Sequence, residues 1–512
     1  MSFKLKYTWL LLFLFAFAAC DDNDDDQNEV KVALTPGSAD FNTFVSVGNS
    51  LTAGYTDNAL FKAGQTNSFP NLLSQKFALV GGGSFTQPMT NDNIGGLLLG
   101  GNVIAAPRLY FDGSGPAVLP GTPTTEVSNI LSGPFNNMGV PGAKSFHLLA
   151  PGYGNIAGLP NLANPYFVRM ASSPNTTVLA DAMAMNPTFF SLWIGNNDVL
   201  GYATSGGDSS NSITDDATFN GAINAIVTTL TSQGAKGVVA NIPDVTTIPY
   251  FKTVPFNPLD PSNPEFAAQI PLLNQTFAQL NQAFTFLGVP ERSVVYSETA
   301  ASPVLIHDES LANISQPLMQ VLMAGGLDQQ TAFLLSTQFG QSRQATANDL
   351  LVLTSASVIA TVNTAYFQQL VGLGVPAQLA GQLSVNGVTY PLADKWVLLP
   401  SEQSEVKSAT DRFNNVIKTA ADNAGLAFVD ANALLTQLST SGIESGNYIF
   451  TSNLVTGGVF SLDGVHLTAR AAALVANEAL MAIDATYGSN FKEAGELFNV
   501  GDYPTNYNPL LQ

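Results

Sequence analysis

Two patterns alternate along this chain of 512 residues. The first is the short run that is apolar but for one serine. Phe44-Val45-Ser46-Val47 and Phe189-Phe190-Ser191-Leu192-Trp193-Ile194 read as strands covered on both faces, because a half-exposed strand would alternate. The second is apolar spacing of three and four residues, which marks one face of a helix. Ala222, Ile223, Ile226, Val227 and Leu230 form such a face, closed by Gly234 and followed by a strand at 237–242. Val406, Ala409, Phe413, Val416, Ile417 and Ala420 form another, closed near Gly425 with a strand at 426–429. A third helix runs from Thr468 to about Ala485. Strands alternating with helices predict an α/β fold with a doubly wound parallel sheet. Ligand chemistry in such sheets sits at the carboxyl ends of the strands.

The chain is longer than that core requires. Residues 81–133 are rich in glycine and proline with short apolar pieces, which predicts long loops and a hairpin beside the site. Residues 251–395 hold apolar helical segments such as Leu318-Met319-Gln320-Val321-Leu322-Met323. Two readings fit this insertion: a cap over a ligand site, or an appended helical subdomain whose apolar residues are ordinary core. The expected division is a core of 39–250 and 396–490, an insertion at 251–395, and a C-terminal tail at 491–512.

Four short stretches carry the chemistry. They are Gly48-Asn49-Ser50-Leu51, Asn137-Met138-Gly139-Val140-Pro141-Gly142, Gly195-Asn196-Asn197-Asp198 and Asp463-Gly464-Val465-His466. The first and third each follow a predicted buried strand, and the fourth opens a helix. In order they supply a serine, a glycine, an asparagine and an Asp-x-x-His. A serine hydroxyl becomes a useful nucleophile when a neighbouring base takes its proton, and histidine suits that role near neutral pH. The imidazole needs an acceptor on its other nitrogen, and Asp463 lies three residues before His466.

This set resembles the SGNH, or GDSL, hydrolases, a family of three-layer α/β/α esterases and lipases with a flavodoxin-like strand order. The resemblance covers the parts of the chain that would build that family's core. It implies Ser50 as nucleophile, His466 as base and Asp463 as orienting acid. It also implies an oxyanion hole made by Ser50, Gly142 and Asn197. Gly142 is preferred to Gly139 because the family's oxyanion glycine stands five residues after the asparagine of its block, here Asn137. One departure is visible: the family's first block reads Gly-Asp-Ser, and Asn49 replaces the aspartate, keeping its hydrogen-bonding shape and losing its charge.

The literal string Gly207-Asp208-Ser209 lies in a polar run, Ser205 to Ser212, with no strand before it, and reads as loop. The chain contains no Gly-x-Ser-x-Gly, which argues against an α/β-hydrolase elbow. Of the three histidines, His147 reads as a half-buried residue on a helix and His307 as a structural residue at a strand end. No run of His, Cys and carboxylates has metal-ligand spacing, so neither a catalytic metal nor a cofactor is expected.

The N-terminus bears on location. Lys4 and Lys6 precede an apolar run from Trp9 to Ala19, too short for a membrane span and suited to a signal sequence over 1–19. It ends Phe17-Ala18-Ala19-Cys20, which resembles a bacterial lipobox and implies lipidation of Cys20, the only cysteine. Phe17 is an unusual residue at its position, and a cleaved secretory signal is the alternative. Asp21, Asp22, Asp24, Asp25, Asp26 and Glu29 follow and read as a solvated tether within 20–38. They also resemble the acidic surface-export signal of some bacterial lipoproteins.

Charge limits the partners. The net charge is −20, and loss of the signal with its two lysines and no acid takes it to −22. Such a surface repels nucleic acid, and no basic patch compensates. With 46% hydrophobic residues the chain can bury a large core. The expectation is a lipid-anchored esterase or lipase of the cell envelope, held at the outer membrane, that takes a lipid or an acylated glycan. A short-chain acetylesterase on glycans and an inactive glycan-binding scaffold are the alternatives.

Overall fold

The structure is a computed structural model describing residues 32–511. The expected signal sequence, Cys20 and the acidic stretch lie outside the described residues. Five parallel strands form the central sheet of a mixed α/β fold: β1 (Phe44–Gly48), β2 (Asn137–Gly139), β3 (Phe189–Trp193), β4 (Lys236–Ala240) and β5 (Ala427–Val429). Their order is β5-β4-β3-β1-β2, so the winding reverses between β1 and β3. Gly48 stands beside Gly139 on one side and Trp193 on the other, which aligns the carboxyl ends of the three strands.

Every residue of β1 and β3 is buried, as their largely apolar runs predict, and that requires helices on both faces. On one face the Phe189 ring meets Phe77 at 5.5 Å and Tyr487 at 5.9 Å. These rings come from α2 (Phe69–Ala78) and α7 (Ala469–Tyr487). On the other, α4 (Asp216–Thr231) and α5 (Pro400–Asn423) stack Phe219 on Phe413 at 3.8 Å. The five residues expected on the α4 face are all buried. On α5 the expected face is buried except Val416, which is half-buried.

β2 is the strand least visible in the sequence, and Asn137, with Asn136 just before the strand, explains it. Asn136 donates through its amide to the Phe44 carbonyl and accepts from the Thr86 N–H. Asn137 donates to the Thr52 carbonyl at 3.0 Å. Side-chain amides thus do part of the pairing that an edge strand otherwise leaves to backbone and apolar contact.

The insertion has its own hydrophobic core, running from Val254 to Leu399 and including Phe277, Leu318 and Phe339. Phe251 belongs instead to the main core. Its helices include Ile270–Phe286, Ser315–Ala324 and Gln329–Phe339, beside a hairpin of Leu305–His307 and Ser342–Gln344. In the 81–133 region two hairpins form, Leu97–Leu99 with Asn102–Ala105 and Leu109–Phe111 with Pro116–Val118. The expected C-terminal tail is packed down: Phe491 is buried in the main core, and Tyr507 packs on Phe61 at 5.0 Å. Among the described residues no helix is long and apolar enough to cross a membrane.

Candidate active site

Ser50, Gly142 and Asn197 all lie just beyond the carboxyl ends of β1, β2 and β3. Ser50 opens a short helix, α1 (Ser50–Ala53), and is 8% exposed. Asn49 caps α1 by accepting from the Leu51 N–H at 3.0 Å. Asparagine and aspartate cap about equally well, so the missing aspartate leaves this contact intact. The Ser50 N–H, first in its helix, has no intrahelical partner.

Gly142 and Gly139 differ in what their N–H groups do. The Gly139 N–H bonds the Asn137 carboxamide oxygen at 3.0 Å. A Cβ at Gly139 would also fall 2.3 Å from the Ala53 nitrogen, so glycine there lets β2 pass α1. Gly142 is exposed, adopts φ +80°, and its N–H makes no hydrogen bond among the described residues. Asn197 lies in the first turn of α3 (Asn196–Thr204). Its amide donates to the Ala143 carbonyl at 2.9 Å, which ties it to the residue after Gly142 and leaves its second N–H free.

The Asp463-Gly464-Val465-His466 turn reaches this edge from the far end of the sequence. His466 Nε2 lies 2.9 Å from Ser50 Oγ, and His466 Nδ1 lies 2.8 Å from Asp463 Oδ2. Asp463 Oδ1 accepts from the Val465 and His466 N–H groups at 2.9 and 2.8 Å and from the Ser461 hydroxyl at 3.1 Å. Oδ2 also accepts from the Asn58 N–H at 2.8 Å. Burial alone would raise this carboxyl, but the His466 imidazole and the surrounding N–H groups outweigh it and hold Asp463 well below the usual carboxylate range. The Tyr55 ring lies 4.6 Å from the His466 ring.

Asn58 and its neighbours were not among the residues expected from sequence. Thr56 to Ala59 form a tight turn in which Asp57 and Asn58 take φ +50° and +61°. The Asp57 N–H donates to the Ser461 hydroxyl at 3.0 Å, and its carboxylate accepts from the Leu462 N–H at 3.1 Å. Burial pushes the Asp57 carboxyl up to about 7, against the lowering effect of that bond. The signal available in the sequence was the Asp-Asn pair, since these residues tolerate left-handed backbone in turns. The partner, about 400 residues away, was not readable.

The remaining candidates lie elsewhere. His147 sits on a 3-10 turn, accepts from the Lys144 N–H, and stacks on Tyr153 at 4.6 Å. Burial, with the Lys144 charge, lowers its pKa to about 4. His307 ends a strand of the insertion. Gly207-Asp208-Ser209 is a loop, with Ser209 at φ +66°. One grouping escaped the sequence reading: carboxylate oxygens of Glu309, Asp394 and Glu402 lie within 4.8 Å of one another. They come from three distant segments, so spacing in the chain could not reveal them. Burial pushes Asp394 up to about 7 and, with a hydrogen bond to Glu309, drives Glu402 well up.

Ser50, Asn197 and His466 share one cleft, most of whose lining is aliphatic. No residue between Phe251 and Lys395 lines it, so the insertion forms no part of its wall. It comes close to the Asp463–His466 turn at Gly464, where a Cβ would meet Leu353 at 3.2 Å. No protein-family model, curated protein or solved structure matches this chain.

Proposed function

We propose that the protein is an exported serine esterase of the SGNH (GDSL) type, hydrolysing carboxylic esters through an acyl-enzyme on Ser50. The observation that carries this reading is the unbroken relay of Ser50, His466 and Asp463, with contacts of 2.9 and 2.8 Å. The three-layer α/β/α order of that family is compatible with the five-stranded parallel sheet.

The steps follow from the atoms in place. His466 Nε2 removes the hydroxyl proton as Ser50 Oγ attacks the ester carbonyl carbon. Negative charge gathers on the carbonyl oxygen, facing the N–H groups of Ser50 and Gly142 and the free amide N–H of Asn197. Loss of one such donor costs on the order of 100- to 1,000-fold in rate. The imidazolium, steadied by ionised Asp463, returns its proton to the departing alkoxide oxygen as the C–O bond breaks. Water then attacks the acyl-enzyme, with His466 again taking a proton, and the acid leaves as Ser50 regains its hydrogen.

The same reading places the protein in the cell envelope, held at the outer membrane by acyl chains on Cys20. An N-terminal lipid anchor suits an enzyme whose substrates are membrane or surface esters. Purified protein should hydrolyse p-nitrophenyl esters, and Ser50→Ala should abolish turnover while Ser209→Ala leaves it near wild type. Equal activity in Ser50→Ala would defeat the proposal.

A further inference from the structure

The cleft that holds the catalytic pair continues beyond it, and its shape specifies a substrate class. Its enclosed part holds about 120 Å³ and opens outward through a wide mouth. Its polar lining is confined to the Asn49–Ser50 and Asn196–Asn197 turns, His466 and Glu478. Every other lining side chain is apolar.

Two helices make the long walls. α6 (Ala431–Thr440) contributes Ala431, Leu434, Leu435 and Leu438, and α7 contributes Ala471, Leu474, Val475 and Glu478. Both sets follow the spacing i, i+3, i+4, i+7, which is one face of a helix. Each therefore runs ~10 Å along its axis. Such faces ordinarily pack on a neighbour; here both border empty space, and Leu434, Leu474 and Val475 remain only partly buried. The α7 face starts beside the catalytic turn, since Ala471 lies five residues past His466. It ends at Glu478, the only carboxylate in the lining.

We infer that this cleft between α6 and α7 is the binding site for the acyl chain of the substrate, and that the enzyme prefers esters of medium-length fatty acids to acetate. The inference rests on the esterase reading of Ser50. A glycan would need polar partners for its hydroxyls along the walls, and the aliphatic walls supply none. An acetyl group would leave the walls along α6 and α7 uncovered. A flexible alkyl chain fills it, with its ester carbonyl at Ser50 and its methyl end toward Glu478. Chain length is then set by the C-terminal helices and not by the insertion.

The test is a series of p-nitrophenyl esters from acetate to palmitate, read as kcat/KM. Wild type should gain roughly fourfold per methylene, the effect of burying each one, until the cleft is filled near octanoate to dodecanoate. Val475→Trp should fill part of the cleft. Excluding about three methylenes should lower the octanoate-to-acetate ratio roughly 60-fold. Leu434→Trp, on the facing helix, should lower the same ratio and serves if the first variant does not fold. A wild-type profile that is flat or falls from acetate onward would overturn the inference. So would an unchanged ratio in both folded variants. Absence of hydrolysis on every ester, acetate included, would instead defeat the esterase reading itself.

Discussion

Asp463→Asn is the substitution whose consequence is most fully determined by the geometry. Oδ1 accepts three hydrogen bonds, from Ser461, Val465 and His466, while Oδ2 accepts from the Asn58 N–H and faces His466 Nδ1. An asparagine has one oxygen to offer. Placed at Oδ1 it keeps three donors, and its NH2 then points at the Asn58 N–H and at Nδ1. The imidazole responds by carrying its proton on Nε2, where it cannot accept the hydrogen of Ser50 at 2.9 Å. Such a tautomer error costs ~10⁴ in kcat, or about 5 kcal/mol of transition-state stabilisation. The Asn58 N–H loses its acceptor, but that bond lies at the surface, where water replaces it, so stability should fall little. The assay is steady-state hydrolysis of p-nitrophenyl butyrate with a parallel thermal melt. KM should change little, because Asp463 does not line the cleft. A loss of less than about tenfold in a variant that melts near wild type would refute the assigned tautomer and the role of Asp463.

Three further outcomes follow from the same structure. Gly464→Ala should sharply lower kcat, because φ is +72° and the new Cβ would sit 3.0 Å from the Tyr250 nitrogen, shifting the turn that sets Asp463 against His466. The melt of wild type against pH should show the Glu402 carboxyl. Its pKa is raised on folding, so the folded state binds more protons, and stability falls as pH rises above the ordinary carboxyl range. Glu402→Gln should flatten that decline between the ordinary carboxyl range and about 9, and an unchanged slope would remove Glu402 as its source. Cys20→Ser should release the protein from the membrane fraction or leave it as precursor; wild-type protein recovered soluble with Cys20 unmodified would contradict the anchor.

What was legible in the sequence depended on how locally each feature is determined. The helices α4 and α5 bury a continuous stripe against one sheet face, so period alone located Ile223, Ile226, Val406 and Phe413. β1 and β3 were legible because strands covered on both faces cannot alternate. Short motifs made Ser50, Gly142, Asn197, Asp463 and His466 candidates, and the fold brings Ser50, His466 and Asp463 into hydrogen-bonding contact. β2 was faint because Asn136 and Asn137 do work that apolar residues usually do. The Asn58 N–H on Asp463 and the Glu309–Asp394–Glu402 group were not legible, since each joins segments far apart in the chain. The cleft was missed for a different reason. Ala431, Leu434, Leu435 and Leu438 have the spacing of any buried helix face, and nothing in that spacing tells a face packed on protein from one packed on empty space.

The central claim is that Ser50 is the nucleophile. A fluorophosphonate forms a bond only to a serine oxygen whose proton a neighbouring base can take, so it reads the relay without knowledge of the substrate. Labelled protein, digested and analysed by mass spectrometry, should carry a single adduct on the peptide containing Ser50, and His466→Ala should abolish labelling. An adduct on Ser209 or any other serine, or no adduct on correctly folded wild type, would contradict the account.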